Sequence, residues 1–578
     1  MENGNMLKLI PKPKKCNELD TFINIKGIKI ESENIDARLL KIINKLPLDE
    51  NGIELKIELG EGNTEAYNLK ISSDGIVIKA EGIKGAFYGV QTLRQILENE
   101  KIPCLEIEDK PDFKFRCAYL DITRGKIPKL ETIKKFIDKI AYMKMNALQL
   151  YVEHTYEFKE YADSLERTGY ITADELKELD LYCKENFIDF IPSLSTFGHL
   201  YELLQKDRYK HLRMLEDYDP DKAENCLWLE KGMHHTLDPL NPESIELVKS
   251  LIDQYCENFT SEWFNICCDE TFDLKTGEKH KDKDPGELYI NFVLQIIEHL
   301  KKKGKKVMMW GDVLSSHPEQ LSKLSEDIML LNWYYRANPE KEIVKRFYDK
   351  GRKQILCVGT SAWVTMVEDI DTSLPNIENM LNLGYEYGAK GIITSIWGDF
   401  GNMASQEMTD CSLSFGADKS WNVDSKKEDI FEKVDLLIYK TEGMSDYLKE
   451  LVKLQQKMPI WGLVCLHEDS KGIKERTFQY FADELILPFR EECEDFIGRL
   501  KNEDFDNEYK KEMLSVAKCL LVIAEIGALY NGSSLERHSD TLKWLKEYRS
   551  LWISKNKESE LRVIEQLFED LEEEVSRR

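Results

Sequence analysis

The sequence has no run of about 18 uninterrupted apolar residues, the length a membrane-spanning helix needs. Its opening stretch, MENGNMLKLIPKPKK, lacks the apolar core of a signal peptide. Both absences predict a cytoplasmic protein with no membrane partner. Positive charge is in deficit: 80 Lys and Arg face 106 Asp and Glu, a net charge of −26. Such a chain repels phosphate backbones and anionic lipid surfaces, so nucleic acid is not expected among its partners and a neutral or basic ligand is easier to hold. The thirteen cysteines are odd in number and form no CxxC pair, and Cys267 and Cys268 are neighbours on a predicted strand. Reduced, buried thiols fit this usage better than a disulfide framework. Metal and cofactor signatures are missing as well. There is no HExxH, DYDPDKAEN lacks the turn glycine and terminal Glu of a calcium loop, and no glycine-rich phosphate cradle or dinucleotide fingerprint stands between a strand and a helix. No metal site and no cofactor are expected. Solenoid repeats and low-complexity tracts are also missing, and the acidic run at the end reads as one solvated helix face.

What is present is ample material for a large core. At 578 residues, 42% hydrophobic and 32% charged, the chain has the composition of a globular protein with a large barrel and flanking domains. Residues 55–97 alternate apolar and polar positions in ELKIEL, YNLKIS and GIVIKA and then switch to the helical pattern of GAFYGVQTLRQILEN. This predicts a small α+β domain over residues 1–112, closed by the polar, proline-bearing IEDKPDFKF. Between residues 113 and 425, eight apolar runs alternate with amphipathic helices such as LETIKKFIDKIAYM and PESIELVKSLIDQYC. The runs are FRCAYLDI, NALQLYV, FIDFIPSL, WFNICC, KVMMW, DIMLLNW, QILCVG and GIITSIW. Eight strands in βα order predict an α/β fold, a (β/α)₈ TIM barrel whose functional groups gather at the C-terminal strand ends. Beyond residue 426 only long 3.6-period stretches remain, which predicts an all-helical C-terminal domain over 426–578 that packs on the barrel or mediates a homodimer.

The polar and aromatic residues that end the eight runs are the candidates for chemistry. WFNICCDETFDL places Asp269 and Glu270 directly after the fourth run. Cleaving a glycosidic bond requires a carboxylic acid near the leaving oxygen and a second group that stabilises or traps the oxocarbenium-like centre. Adjacent acids at a strand end can supply both. Trp310, Trp333 and Trp397 end runs and Trp363 lies just past the seventh; aromatic faces at such positions stack on the apolar faces of sugars and exclude water. Arg124, Glu153, His154 and His199 follow the first three runs.

Several of these motifs, in the same order, resemble glycoside hydrolase family 20. EAYNLKISSDGIVIKAEGIKGAFYGVQTLRQIL resembles the family's non-catalytic N-terminal domain, YLDITRGKIP its first-strand motif, and KMNALQLYVEHTYEF, PSLSTFGH, CCDETFDL and SIWGD its later ones. CDETFDL together with a helical C-terminal domain resembles a bacterial subgroup that includes streptococcal hexosaminidases. The resemblance implies an exo-acting, retaining β-N-acetylhexosaminidase that releases terminal β-linked GlcNAc or GalNAc from glycans. It makes Glu270 the general acid and then base, and Asp269 the partner of the substrate's 2-acetamido group, whose carbonyl attacks the anomeric carbon to give an oxazoline-like intermediate. An aromatic-walled pocket beside the Asp269 charge is then expected to push the Glu270 pKa upward. Arg124 is implied as a fork of donors to the sugar 3- and 4-hydroxyls, and Glu153 and His199 as polar supports.

Two motifs depart from the family. The eighth strand usually ends in W-x-Glu, but here Trp397-Gly398-Asp399 ends one methylene shorter, at the residue implied to hold the 4- and 6-hydroxyls. The family's tyrosine for the acetamido oxygen is missing from CVGTSAWVTMVED, which leaves Tyr334 or Tyr335 as the substitute. Two rival readings stay open. One is a conventional retaining glycosidase with a protein nucleophile, which needs a second carboxylate about 5 Å from the acid and for which Asp399 is the candidate. The other is a catalytically silent sugar-binding protein.

Overall fold

The computed structural model describes residues 7–31, 35–215, 235–276, 278–399, 401–458, 460 and 481–577. The first six residues and the DYDPDKAEN stretch lie outside them. Alternating residues form a mixed six-stranded sheet from β1 (Lys15–Ile23), β2 (Ile28–Ile30), β3 (Ile53–Leu59), β4 (Tyr67–Ser72), β5 (Gly75–Ala80) and β6 (Ile102–Asp109), in the order β1-β6-β4-β5-β3-β2. The period of two sends Leu69, Ile71, Ile76 and Ile78 to one face. There they meet Phe87, Val90 and Leu93 of helix Ile83–Ile96.

All eight predicted runs become strands of one closed parallel barrel. They are β7 (Phe115–Asp121), β8 (Ala147–Val152), β9 (Asp189–Leu194), β10 (Trp263–Asn265), β11 (Lys306–Trp310), β12 (Met329–Trp333), β13 (Gln354–Gly359) and β14 (Gly391–Ile396), with β14 closing on β7. The intervening helices start where local chemistry satisfies their free amides. Asn241 caps Pro242–Cys256 and Asp284 caps Pro285–Lys302, each with proline in the first turn, while Thr172 and Glu175 form a reciprocal capping box on Ala173–Glu185.

The N-terminal domain is fastened at the strand beginnings, opposite the mouth. Arg116 pairs with Glu65 at 2.9 Å, and buried Lys144 reaches Asp109 at 3.2 Å. Among the described residues after the barrel the regular elements are helices, including Met444–Lys457, Asp483–Asn502, Glu508–Tyr530, Thr541–Lys555 and Leu561–Arg577. Helix Glu508–Tyr530 is long and apolar enough to cross a membrane by length and composition, and most of it is buried within the protein. Its apolar run is interrupted by charged residues such as Glu512, Lys518 and Glu525, so it lacks the unbroken apolar span sought in the sequence.

The helical region packs on the barrel mouth. Gly125 O accepts from Glu560 N at 3.2 Å and Ile127 O from Lys557 N at 2.8 Å, which clasps the loop after β7. Lys126 is buried in that loop, donates to Ala404 O at 2.6 Å and lies 4.6 Å from the Trp552 ring. Tyr548 donates to Met403 O at 3.1 Å, so the loop after β14 is held by the same helices. Eleven cysteines fall among the described residues; all are free thiols and all but Cys16 are buried.

Candidate active site

The mouth is assembled around the seam between β7 and β14. Asp121 ends β7 and is fully buried. Its Oδ1 accepts from Thr123 N at 2.9 Å and Arg124 N at 3.2 Å, and its Oδ2 accepts from Gly398 N at 3.0 Å. One carboxylate thus sets both loops, and burial pushes it up to about 6 against the pull of Arg124. The Arg124 guanidinium lies 2.6 Å from Asp399 and 3.6 Å from Glu153, and 5.2 Å from the Tyr151 and Trp397 rings. Tyr151 donates to Glu153 at 2.8 Å, which fixes the carboxylate beside Arg124. His154 instead turns inward, its ring 6.2 Å from that of Tyr161.

The Asp269–Glu270 pair depends on an abrupt exit from β10. The predicted run WFNICC keeps strand geometry only through Asn265, because Cys267, Cys268 and Glu270 have φ of 56°, 63° and 49°. Consecutive strand residues point to opposite faces. The left-handed residues remove that alternation, and both carboxylates converge on one imidazole: His199 Nε2 is 3.4 Å from Asp269 Oδ2 and 3.4 Å from Glu270 Oε2. The glycine of the FGH motif permits this approach, since a Cβ at Gly198 would lie 2.6 Å from Asp269 O. His199 is itself left-handed, with φ of 58°. Its N–H donates to His235 Nδ1 at 2.8 Å, and the two rings stack with centroids 4.8 Å apart.

Electrostatically the centre differs from the sequence expectation. Burial pushes the Glu270 carboxyl upward, but the hydrogen bond and charge of His199, together with Arg124, outweigh it and hold Glu270 below its usual value. Burial disfavours the His199 imidazolium, yet Asp269 and Glu270 raise its pKa well above the ordinary imidazole value. Both shifts favour the proton on the histidine over the carboxyl. The expected upward shift of Glu270 is corrected because composition gave no sign of a cation between the two acids.

The aromatic residues divide into a floor and a wall. Trp310 is 1% exposed, with its ring 5.6 Å from Tyr119 and 6.1 Å from Trp397, so it belongs to the packed barrel interior and not to an open wall as the sequence reading had it. It ends β11 in strand geometry with its side chain turned inward. Above this floor, Trp333 stacks on Tyr335 at 5.4 Å, Trp363 lies 5.0 Å from Tyr335, and Trp397 Nε1 donates to Tyr335 OH at 2.8 Å. Tyr334 packs against the main hydrophobic core instead. Tyr335, not Tyr334, thus joins the tryptophans, because neighbouring residues leaving a strand face opposite ways. A Cβ at Gly359 would meet the Trp363 ring at 2.7 Å, so this wall too relies on a glycine.

The sequence reading missed Asp121, Tyr151, His235 and Asp312. Asp121 and Asp312 stand at or just past strand ends, in YLDITRGKIP and MMWGD, and an acid there was a usable signal; Tyr151 lies inside a strand and His235 in a loop, with none. Among the described residues, two groups can present ligands to a cation. His199, Asp269 and Glu270 do so with one atom each, all within 4.8 Å of one another, and so does the more exposed set Asp284, His317 and Glu319.

Fold and site define a (β/α)₈ barrel with an acid pair, an arginine–carboxylate clamp and an aromatic wall at its C-terminal mouth. Family comparison agrees for the N-terminal domain and the barrel. Residues 113–390 match the glycosyl hydrolase family 20 catalytic domain and residues 6–110 match its domain 2. The chain belongs to glycoside hydrolase family 20. A lacto-N-biosidase of Bifidobacterium bifidum is 27% identical over 313 residues, spanning 51% of this chain and 26% of that protein. A β-hexosaminidase of Porphyromonas gingivalis is 25% identical over 365 residues, spanning 53% and 46%. The matches thus span from about a quarter to about half of these relatives' lengths. Among solved structures, a chitobiase of Flavobacterium johnsoniae shares the fold with a TM-score of 0.61 at 19% identity, over 97% of this chain and 99% of that one. An exo-β-N-acetylglucosaminidase of Vibrio harveyi in complex with N-acetylglucosamine gives 0.57 at 19% identity, over 74% and 76%.

Proposed function

We propose that the protein is an exo-acting, retaining β-N-acetylhexosaminidase that removes terminal β-linked GlcNAc or GalNAc from oligosaccharides or glycoconjugates by substrate-assisted catalysis. The observation that carries this reading is the convergence of Asp269 and Glu270 on His199 Nε2, 3.4 Å from each. Asp269 and Glu270 share one side of the mouth and Asp399, the other carboxylate offered as a nucleophile, is paired with Arg124, which supports a nucleophile supplied by the substrate. The acetamido oxygen attacks the anomeric carbon while Glu270 protonates the departing oxygen. Asp269 orients the acetamido group and stabilises the positive charge that grows on its nitrogen. Glu270, now ionised, then deprotonates a water that opens the oxazoline-like ring with net retention.

With the His199 pKa raised and that of Glu270 lowered, the proton that Glu270 delivers comes through the His199 contact. Arg124 and Asp399 clamp the sugar hydroxyls, with Glu153 holding the arginine. Trp333, Tyr335, Trp363 and Trp397 enclose the ring and exclude water. The relatives named β-hexosaminidase support the choice of sugar. A nucleophilic role for Asp399 is disfavoured by its 2.6 Å pairing with Arg124. The buried free thiols support a reducing, cytoplasmic compartment. The deciding assay is release of the chromophore from an aryl β-N-acetylglucosaminide and its galacto isomer. A chain that binds GlcNAc but turns over neither glycoside is the silent sugar-binding protein instead.

A further inference from the structure

Resting on the reading of Glu270 as acid/base, we propose that Asp312 is a positioning residue that accepts the Glu270 N–H and thereby holds Glu270 in the left-handed conformation that turns its carboxylate toward Asp269 and His199. The segment after β10 carries three non-glycine residues of positive φ within four positions, Cys267, Cys268 and Glu270. Such residues persist only where the surroundings over-determine them. Cys267 is fixed on both sides, its N–H donating to Asn265 Oδ1 at 3.0 Å and its carbonyl accepting from Trp310 N at 3.0 Å. The Cys268 carbonyl accepts from Tyr289 OH at 2.8 Å. At Glu270 the carbonyl accepts from Phe272 N at 2.7 Å, a contact within the same loop, and the N–H donates to Asp312 Oδ2 at 3.0 Å. Asp312 is therefore the tie from the Glu270 amide to another barrel strand.

Its placement is itself determined. Asp312 follows Trp310 and Gly311 at the end of β11, and a Cβ at Gly311 would meet the Phe347 ring at 2.9 Å, so the turn that delivers the carboxylate admits little beyond glycine. The Asp312 Oδ1 is buried without a hydrogen-bond partner, an expensive arrangement for a residue that only fills space. Burial, with the Asp269 charge next, pushes this carboxyl up to about 7. A third acid packed behind two catalytic ones is tolerated there because its acceptor oxygen serves the backbone of one of them.

The test compares Asp312→Asn, which keeps a carbonyl acceptor of the same shape, with Asp312→Ala and Asp312→Leu, which remove it; the leucine keeps the site filled should the alanine chain not fold. Thermal melting checks each fold. Kinetics are read on 4-nitrophenyl β-N-acetylglucosaminide and on N,N′-diacetylchitobiose, whose leaving group needs the acid. Loss of the acceptor should lower kcat on the disaccharide by about 10–100-fold with little change in KM, and lower it much less on the nitrophenyl glycoside, because a displaced general acid matters most to a poor leaving group. The asparagine variant should recover most of the loss. Crystal structures of the alanine or leucine variant should show residue 270 leaving positive φ. Equal losses on both substrates, an asparagine as damaged as the leucine, or an unmoved Glu270 in the crystal each overturn the assignment. A wild-type chain inactive on both substrates would sink the functional reading instead, and the crystal comparison would still judge Asp312.

Discussion

Arg124 Nη1 lies 2.6 Å from Asp399 Oδ1, an ion pair formed across the seam where the last barrel strand closes on the first. The aspartate's shorter side chain does not prevent the contact, since the loops after both strands are set by Asp121 and held by the C-terminal helices. Replacing Asp399 by Ala leaves Arg124 with Asp121 and Glu153, each at 3.6 Å, and removes the carboxylate acceptor proposed for the sugar hydroxyls. KM for GlcNAc glycosides should rise by about tenfold or more, as expected for one lost hydrogen bond to a charged group, with kcat less affected. Steady-state kinetics on a chromogenic substrate checks the split.

Glu270→Gln should retain product binding and lose turnover by roughly 10²–10⁴-fold on glycosides with poor leaving groups, because assistance by the general acid is gone. Activated aryl glycosides should suffer less in the first step. Near wild-type rates on a natural disaccharide would remove Glu270 from the acid role.

The 2-acetamido group should be indispensable. An aryl β-N-acetylglucosaminide should be cleaved and the matching β-glucoside left essentially intact, since the glucoside lacks both the nucleophile and the partner of Asp269. Asp269→Asn should depress turnover, because a neutral amide cannot stabilise charge on the oxazoline nitrogen. Comparable hydrolysis of the glucoside, or a covalent adduct trapped by a 2-fluoro glucoside, would replace substrate assistance with a protein nucleophile.

The pH profile should report the His199–Glu270 proton. With the His199 pKa raised well above 6.5 and that of Glu270 lowered below 4.5, the cluster keeps its proton through neutrality and loses it as pH climbs through the folded histidine value. The alkaline limb of kcat/KM should therefore lie well above 6.5. In His199→Gln the limb becomes that of Glu270 alone, freed from its lowering partner but still a carboxyl, and should move to lower pH. The sign for stability is the same: a histidine raised on folding contributes fully below its unfolded pKa and ceases to contribute as pH rises through its folded pKa, so the Tm difference between wild type and His199→Gln should shrink at alkaline pH. A limb that stays in place in the variant counts against a shared proton.

Chelation should leave activity unchanged, since the chemistry assigned to His199, Asp269 and Glu270 uses them as a proton relay and charge pair, not as ligands. Activity lost in EDTA and restored by a divalent ion would show that these three groups hold a metal.

The sequence by itself determined the barrel, because eight apolar runs alternating with 3.6-period helices leave few other ways to bury their faces. It also singled out Asp269, Glu270, Arg124 and His199, which follow strand ends and which the structure brings together at the mouth. Which of two adjacent tyrosines joins the wall was decided only in three dimensions, where Tyr335 meets Trp333 and Trp363 and Tyr334 faces the core. So was the burial of Trp310, whose outward or inward sense depends on how its strand ends. The charge state of Glu270 is another tertiary property, since it is set by a histidine 71 positions away in the chain and brought to 3.4 Å by the left-handed turn after β10. Periodicity records which face of an element is buried. It carries no information about which partner lies across the barrel, and that partner sets the pKa, the backbone strain and the geometry of the site.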